Sequence, residues 1–486
     1  MVKTPLEEFD LRDLFSLLLI FNKTVPRTMS LTIVAVFSFL ISLGFSAGNA
    51  EAIPAFAKKY SAPCTLCHST WPRLNKVGFQ FKVNGYQLPE GRDGSDFGKM
   101  SLDWNLHLDS GNANPPISVR LRGGYELQGP LSDLKGRQST RFACCTEPNN
   151  LNLYLAGSAG KDIAYFISYP LENQEMEQGY IKLANLVGQG GMALDIGAIR
   201  TADFDIVPQT REWFAEPNLA YNGNESFRGS ALGLHAGPSD TGVRIYGNPG
   251  YHLFTYDLVY VTGAQRVGES YRGHGEGVGA TGRIDWEKFG LSIKYWQTKS
   301  GAISFQRIDT GGVGTFLYNF DGVGDSLPNR LYPNETTVDI IFNMKYETER
   351  WRVEFVYDKN SLRVKKRTYT DGSGTHTYER GVNDRAGLSL AWIYRVSSSV
   401  TVGARYAQST TKQFSETYDN LYAENPEANS AKTEFKIDFM PAQNAKFAFQ
   451  VTMDSSDTDA RKTLQNGVLT EYDQQNKLLL LWDLAI

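Results

Sequence analysis

A five-residue motif, Cys64-Thr65-Leu66-Cys67-His68, carries the clearest chemistry in the chain. Two thiols at this spacing can add to the two vinyl groups of a haem, and the adjacent histidine is then placed beneath the iron as its proximal ligand. A zinc site would need a second pair of Cys or His ligands nearby, a thioredoxin-like dithiol would lie in a βαβ pattern, and a structural disulfide would leave His68 without a role. The motif therefore predicts one covalent haem c attached through Cys64 and Cys67, with His68 as the iron ligand.

The sixth ligand of such an iron is less well defined by the sequence. Between the motif and the strands that follow it, the later candidates are Met100 and His107. A methionine thioether raises the reduction potential of haem iron, whereas a second imidazole gives a different reduction potential. Met100 is the preferred distal ligand and His107 the alternative, and an open sixth position is also compatible with the motif.

Covalent attachment of haem in bacteria requires export, and the start of the chain has the pattern of an export signal. Lys23 and Arg27 precede an apolar run from Leu31 to Ala47, and Ala50-Glu51-Ala52 follows it. This order of basic, apolar and small residues predicts a secretory signal cleaved after Ala52. A retained membrane anchor would need about 20 consecutive apolar residues. We therefore interpret residues 1–52 as leader and signal peptide.

The composition of the 486 residues limits what the exported chain can be. Charged residues make up 21%, and 49 Lys and Arg nearly balance 53 Asp and Glu, so the sequence gives no sign of a nucleic-acid partner. Four cysteines are too few for a disulfide-built scaffold. The 46 Gly, 25 Tyr and 27 Phe favour strands and tight turns over long helices. A transmembrane β-barrel fits this composition, because its alternating strands average to near-neutral hydropathy.

Apolar and polar residues alternate almost throughout the chain from Ile117 onward. We predict sixteen strands, near 117–127, 150–157, 163–171, 179–187, 191–200, 241–248, 251–262, 276–286, 290–299, 337–346, 350–358, 385–396, 400–408, 432–440, 445–454 and 477–486. Tight turns follow the even-numbered strands, and longer polar segments follow many of the odd-numbered ones. Outer-membrane barrels have short turns at one end and long loops at the other, whereas nothing in a soluble β-sandwich requires loop lengths to alternate in this way.

The charged residues in these strands predict which face is turned inward. A Lys or Arg turned to lipid at the middle of the bilayer costs about 2–4 kcal/mol. Arg120, Arg122, Lys432 and Lys436 should therefore face the lumen. The sequence predicts an all-β outer-membrane antiparallel barrel of about 16 strands over residues 115–486, in contact with outer-membrane lipid.

Residues 53–114 form the predicted monohaem cytochrome c segment. A piece of this size seldom builds an adequate core alone, so we expect it to fold into or against the lumen as a plug. The alternative is a separate periplasmic domain on a linker, for which residues 91–98 or 112–116 have a suitable composition.

A wider set of residues surrounds the haem motif: Pro54, Phe56, Ala57, Pro72, Leu74, Asn75, Gly78, Phe81, Lys82, Asn84, Gly85 and Tyr86. With the motif, they resemble the fused outer-membrane monohaem cytochrome-porins of iron-oxidising bacteria, whereas the barrel part resembles that family in architecture and length only. The resemblance implies oxidation of extracellular Fe(II), an iron(II) oxidase activity that reduces cytochrome c, with electrons passed to periplasmic c-type cytochromes. It also implies thioether sites at Cys64 and Cys67 and a proximal ligand at His68, and it assigns no sixth ligand.

Two alternatives to Fe(II) oxidation remain open on the sequence. The chain could exchange electrons with another extracellular donor or acceptor, or it could be a solute porin in which the haem-bearing segment is a plug. Whether the lumen is filled distinguishes a solute porin from an electron-transfer protein, because a plugged lumen passes few ions.

Overall fold

The alternating pattern that begins at Ile117 produces long antiparallel strands in a computed structural model of the chain. The structure describes residues 56, 64–70, 72–86, 117–129, 151–158, 162–171, 178–200, 204–207, 213–215, 218–222, 240–249, 253–262, 266–267, 270–271, 277–299, 336–363, 367–371, 374–380, 383–411, 414–418, 421–425, 428–442, 445–456, 462–465, 468–471 and 476–485.

The haem motif and the residues after it form a small unit of short elements. A 3-10 turn at Cys64–Leu66 leads into strand β1 (His68–Thr70), which pairs antiparallel with β2 (Arg73–Leu74) and is followed by helix α1 (Lys76–Val83). Two four-residue helices lie further along, α2 (Gly188–Gly191) and α3 (Leu219–Asn222). None of the helices in the described part of the chain is long and apolar enough to cross a bilayer.

Sixteen strands close into one barrel. They are β3 (Ile117–Gly129), β4 (Leu151–Ser158), β5 (Ile163–Pro170), β6 (Gln178–Leu183), β7 (Ala193–Ile199), β8 (Asp240–Gly247), β9 (Phe254–Val261), β12 (Gly277–Asp285), β13 (Phe289–Lys299), β14 (Thr336–Glu347), β15 (Trp351–Arg363), β18 (Asn383–Arg395), β19 (Val400–Thr411), β22 (Ala428–Ala442), β23 (Ala445–Asp454) and β26 (Asn476–Ala485).

Each barrel strand pairs antiparallel with the next one along the chain, and the last pairs with the first. The closing register places Asn476 opposite Gly129 and Ala485 opposite Arg120. The prediction of a sixteen-stranded antiparallel barrel is confirmed, and each predicted strand overlaps an observed one.

The two faces of the barrel differ sharply in polarity. Leu258, Ile293 and Leu390 are each about half exposed on the outside, with 51%, 52% and 51% of their surface accessible. Their strand neighbours Asp257 and Lys294 point the other way and are buried. A polar interior behind an apolar exterior reverses the arrangement of a soluble protein and is typical of barrels that span outer membranes.

Aromatic side chains, exposed or half-buried, lie on the outside near the short turns. Trp286 and Phe289 flank one turn with their ring centroids 5.5 Å apart, and Trp351 lies 4.3 Å from Tyr394 across the β15–β18 pair. Tyr346 is also exposed at this end. Aromatic rings at a rim of this kind form the interfacial girdle of membrane barrels, because their apolar bodies and polar tips suit the headgroup level.

The long connections contain strands of their own, which the sequence interpretation as polar segments missed. They are β10 (Arg266–Val267), β11 (Ser270–Tyr271), β16 (Arg367–Asp371), β17 (Gly374–Arg380), β20 (Phe414–Tyr418), β21 (Leu421–Asn425), β24 (Lys462–Gln465) and β25 (Val468–Glu471). Four of these, from two different connections, form one sheet in the order β16-β17-β20-β21.

Candidate functional site

The two motif cysteines lie on one tight turn. The backbone N–H of Cys67 donates to the carbonyl of Cys64 over 3.2 Å, and the two thiols are not joined in a disulfide. Both are partly buried, and this burial raises the pKa of each thiol. Two free thiols on one turn are what attachment of a single haem through two thioether bonds would require.

His68 follows directly in strand β1, and its ring is fixed by a backbone contact. Its Nδ1 lies 3.3 Å from the carbonyl oxygen of Pro72, within hydrogen-bonding distance. A metal-ligating histidine commonly donates its second ring N–H to such a carbonyl, which sets the tautomer and the ring orientation. With Nδ1 protonated, Nε2 would carry a lone pair available to a metal ion. The residues present therefore fit a haem c whose iron is bound by His68.

Asn75 joins the cysteine turn to helix α1. Its side-chain oxygen accepts from the N–H of Gly78 over 3.0 Å and so caps the helix. Its side-chain nitrogen donates to the carbonyl of Leu66 over 3.0 Å, and its backbone N–H donates to the carbonyl of Cys67 over 2.9 Å. One residue thus fixes the turn that holds the thiols and starts the helix behind it.

Helix α1 approaches the cysteine turn so closely that only glycine fits at the contact. A Cβ placed on Gly78 would lie 2.2 Å from the carbonyl oxygen of Cys67. The chain leaves the helix through Gly85, whose φ of +71° is in the left-handed region that glycine adopts without strain. Both glycines belong to the residue pattern on which the family resemblance depends.

Ion pairs and hydrogen bonds tie the haem-motif segment to the inner wall of the barrel. Arg73 donates to Glu354 on β15 over 2.9 Å, and both side chains are buried. Arg352 on the same strand donates to the Ser69 hydroxyl over 3.1 Å and to Glu354 over 2.6 Å. The hairpin that contains His68 is therefore fastened to β15 by charge-assisted hydrogen bonds.

Aromatic contacts attach the same segment to other strands. Phe79 and Val83 of helix α1 pack in one buried cluster with Tyr246 of β8, and the Arg283 guanidinium of β12 lies 3.6 Å from the centre of the Phe79 ring. The hydroxyls of Tyr86 and Tyr180 are 2.7 Å apart. Residues 64–86 thus contact inward-facing side chains of β6, β8, β12 and β15.

A second stretch of chain also enters the barrel. The connection between β7 and β8 was interpreted from the sequence as a long polar loop, but its described parts, 204–207, 213–215 and 218–222, pack against the inner wall. Ala215 donates to Gln450 on β23 over 2.8 Å, and Tyr221 donates to Asn343 on β14 over 2.8 Å. The available signal was a group of large apolar residues inside a nominally polar loop: Phe204, Ile206, Val207, Trp213 and Phe214.

The structure brings together three of the predicted site residues, Cys64, Cys67 and His68. Met100 and His107 lie outside the described residues, so the choice of sixth ligand stays a prediction. The signal segment 1–52 and the domain boundary predicted at 114–115 also lie outside them. Within the described ranges, no group of three or more His, Cys, Asp or Glu side chains is placed to hold a metal ion by itself.

Comparison with known proteins gives structural likenesses alone. No family model matches the chain, and no curated protein does. OmpT, an outer membrane protein of Vibrio cholerae, has a similar structure with a TM-score of 0.49 at 10% identity, covering 76% of this chain and 96% of that one. An anion-selective porin from Comamonas acidovorans gives a TM-score of 0.48 at 10% identity over 76% and 98% of the two chains. Salmonella typhi OmpF in complex with daunomycin gives 0.44 at 12% identity over 76% and 97%.

Proposed function

We propose that this protein is an outer-membrane electron-transfer protein with one covalent haem c, and that it oxidises extracellular Fe(II) and passes the electrons to a periplasmic c-type cytochrome. The observation that carries the proposal is the Cys64–His68 motif held against the inside of a closed barrel by Arg73, Ser69 and helix α1. It rests also on the resemblance of residues 54–86 to the cytochrome-porins of iron oxidisers.

The barrel surface supports placement in an outer membrane. If a strand were turned over, Arg244, Asp257 or Lys294 would face lipid. An Arg or Lys that faces lipid at the middle of the bilayer destabilises the barrel by about 2–4 kcal/mol. With the apolar face outward and the aromatic rim at the headgroups, the barrel is matched to a bilayer on its outside and to water or protein on its inside.

Three residues of the motif have a task in the proposal. Cys64 and Cys67 hold the haem through thioether bonds, and His68 binds the iron through Nε2 while Nδ1 donates to Pro72. When bound, the haem supplies one-electron chemistry, because its iron is stable in both ferric and ferrous states. The fastening of this segment to β15 keeps the redox centre inside the barrel, where donors on one side of the membrane and acceptors on the other can both approach it.

Position inside the barrel is what makes a single haem sufficient. The apolar band of an outer-membrane barrel is about 25 Å tall, so a centre on one side of it would be too far from a partner on the other. A centre within the lumen shortens both electron-transfer distances. Keeping Fe(II) oxidation on the outer side also leaves insoluble ferric product outside the cell.

Addition of Fe(II) to the purified, oxidised protein tests this function. We expect the visible bands of the haem to change to those of the ferrous form, and we expect the change to reverse when oxidised cytochrome c is added. A Cys64→Ala, Cys67→Ala double variant should show no covalently bound haem and no such response. A native protein whose haem stays oxidised in excess Fe(II) would refute iron oxidation.

A solute porin is the second candidate, and the charged inner wall favours it. Groups such as Arg405 and Glu434 face inward from β19 and β22, as the wall of an aqueous channel requires. Residues 64–86 and the described parts of 204–222 occupy part of that space. Single-channel recording separates the two functions, since an open porin gives a large steady conductance and a filled barrel gives little.

A further inference from the structure

The haem-motif segment, residues 64–86, lies near the end of the barrel where the short turns are. The hairpin that contains His68 is bonded to Arg352 and Glu354, the second and fourth residues of β15. Glu354 therefore lies about 10 Å along the strand from the end next to the short turn. The other end of β15, at Arg363, is about 30 Å further along the strand. The hairpin is held much closer to the short turns than to the long connections.

The rest of this segment meets the wall at the same end. Phe79 packs with Ala193, the first residue of β7, and the Arg283 guanidinium that covers the Phe79 ring lies two residues before the end of β12. A Cβ on Gly85 would lie 3.3 Å from the Cβ of Ala184, which directly follows β6. All three strand ends adjoin short turns, so the segment crosses the lumen near the rim that the short turns form.

A chain of ion pairs determines which part of that rim is nearest the hairpin. Successive members lie at N···O distances of 2.5–3.3 Å, and both ends of the chain contact the haem-motif segment. In order, they are Arg283, Asp285, Lys345, Glu347, Arg352, Glu354 and Arg73. Gly290 lets the chain pass β13, because a Cβ there would lie 2.9 Å from the Lys345 side chain and 3.1 Å from the Asp285 carboxylate. The segment is thus anchored to the strands that two short turns join, residues 286–288 and 348–350.

These two turns, which we call the charged rim, present charged side chains to solvent. Four exposed side chains lie on them: Glu287, Lys288, Glu349 and Arg350. The turn between β6 and β7 differs, since it exposes Leu186 and Val187, with 46% and 61% of their surface accessible. Charged groups at a protein surface speed the diffusional encounter with a partner and orient it. The charged rim therefore has the character of a docking surface for a partner that binds briefly.

We propose that the electron acceptor, a soluble periplasmic c-type cytochrome, docks on the charged rim. The inference rests on the proposed function, since it requires a haem attached at Cys64 and Cys67 and short turns on the periplasmic side. A cytochrome docked there lies next to the hairpin that contains His68, and electron-transfer partners form small, charge-steered interfaces. One electron passes between the two irons: the iron bound by His68 becomes ferric and that of the acceptor becomes ferrous, with no bond made or broken and no proton moved.

Reduction of oxidised cytochrome c by the holoprotein, first reduced with dithionite and desalted, tests this site without Fe(II). Mitochondrial cytochrome c, a basic protein, is the probe. In the double variant Glu287→Gln, Glu349→Gln, we expect the second-order rate constant to fall about two- to fivefold at about 0.1 M ionic strength. The difference should vanish at about 1 M salt, where the Debye length is about 3 Å. Neither glutamate belongs to the chain of ion pairs, so the barrel should still fold, and the mobility shift of the folded barrel on unheated gels checks this.

The double variant Leu186→Lys, Val187→Lys is the matched control, because it makes the same change in net charge at the turn between β6 and β7. We expect its rate constant to match that of the native protein. In a second measurement, p-benzoylphenylalanine in place of Arg350 should form a covalent adduct with cytochrome c on illumination, and in place of Val187 it should form none. Equal rate constants for the two double variants, or an adduct from the Val187 position alone, would overturn the proposal. An adduct at the Arg350 position that joins only two copies of this chain would also overturn it, because the charged rim would then be an interface between copies.

The outcome also separates this inference from the function on which it rests. If the native protein carries no covalent haem, both proposals fail. If Fe(II) reduces the haem and the reduced protein passes electrons to cytochrome c equally well in both double variants, only the docking site is wrong. If dithionite-reduced protein passes electrons at the charged rim but Fe(II) does not reduce the haem, iron oxidation is wrong and the docking site is supported.

Discussion

The three hydrogen bonds of Asn75 place it between the Cys64–Cys67 turn and the helix behind it. Two of them come from the side chain, one as acceptor and one as donor, so substitution can remove them separately. Asn75 belongs to the pattern of the family resemblance, but the resemblance alone gives it no task. These contacts explain why an amide suits this position better than a carboxylate: aspartate could only accept from Gly78, whereas asparagine also donates to Leu66.

We predict that Asn75→Ala destabilises the haem-motif segment by the loss of a helix cap, about 0.5–2 kcal/mol, together with the loss of the Leu66 contact. Asn75→Asp retains the acceptor and should lose only the donor, about 0.5–1.5 kcal/mol. Urea denaturation followed through the Soret band measures both. Lys76→Ala, at the exposed first position of the helix, is the control. Equal midpoints for Asn75→Ala and Lys76→Ala would contradict the capping role.

The assignment of the thioether sites makes a separate prediction. Cys64→Ala should leave a single thioether bond at Cys67, which restores one vinyl group and moves the reduced bands of the pyridine haemochrome to longer wavelength. Thr65→Ala, between the two cysteines, should leave the bands in place. An unchanged haemochrome spectrum in Cys64→Ala would mean that this cysteine does not attach haem.

At the scale of elements, helix α1 lies directly on the cysteine turn, and Gly78 is the point of contact. We predict that Gly78→Ala forces the helix and the turn apart, because its Cβ would lie 2.2 Å from the carbonyl oxygen of Cys67. Overpacking of this kind costs about 1–3 kcal/mol. We expect a reduced yield of covalent haem on denaturing gels.

Gly282→Ala provides the control for this substitution. A Cβ on Gly282 would meet its nearest neighbour, the Phe254 ring, at 3.9 Å, which is ordinary van der Waals contact. The haem yield of this variant should match that of the native protein. A normal haem yield in Gly78→Ala would show that the close approach of the helix is not required for attachment.

The sequence predicts the barrel strands well and the interior poorly, for a physical reason. The alternation of side chains along each strand is local, and the even-odd order of turn lengths shows which ends of the strands are joined tightly. The contents of the lumen depend instead on partners distant in sequence: Ala215 with Gln450, and Arg73 with Glu354. The sheet β16-β17-β20-β21 joins two separate connections and is also invisible to a local pattern.

The motif at Cys64–His68 could be identified from the sequence because its five residues are contiguous. Some of the side chains around the motif are close to it in sequence, whereas the pairs that close the barrel join residues far apart in sequence. The Pro72 carbonyl and Asn75 are neighbours in sequence and belong to the pattern that suggested the family. The Arg120–Asp483 pair, by contrast, joins the first barrel strand, β3, to the last, β26, and only the closure of the barrel brings its two residues together.

At the scale of the whole molecule, the buried Arg73–Glu354 pair joins the haem-motif segment to the wall of the barrel. We predict that Glu354→Gln weakens this fastening, because it removes the charge that pairs with both Arg73 and Arg352. Breaking a buried ion pair by removing one partner costs about 3–5 kcal/mol. Planar-bilayer recordings should show more frequent open-channel events than the native protein.

Glu434→Gln is the matched control for lumen occupancy. Glu434 is equally buried and pairs with Arg405 and Gln450 of the barrel wall. Removal of the Glu434 charge should lower the stability of the barrel without increasing the frequency of open-channel events. Identical recordings from Glu354→Gln and the native protein would argue against the segment as the element that limits conductance.

Transfer of electrons across a membrane is the central claim, and liposomes that contain the native protein and enclose oxidised cytochrome c test it most directly. Fe(II) is added outside, and the absorbance of the enclosed cytochrome is followed. We predict that the enclosed cytochrome is reduced, and that liposomes with the Cys64→Ala, Cys67→Ala double variant show no reduction above the protein-free rate. An enclosed cytochrome that stays oxidised, in liposomes where the native protein carries its haem, would contradict the account.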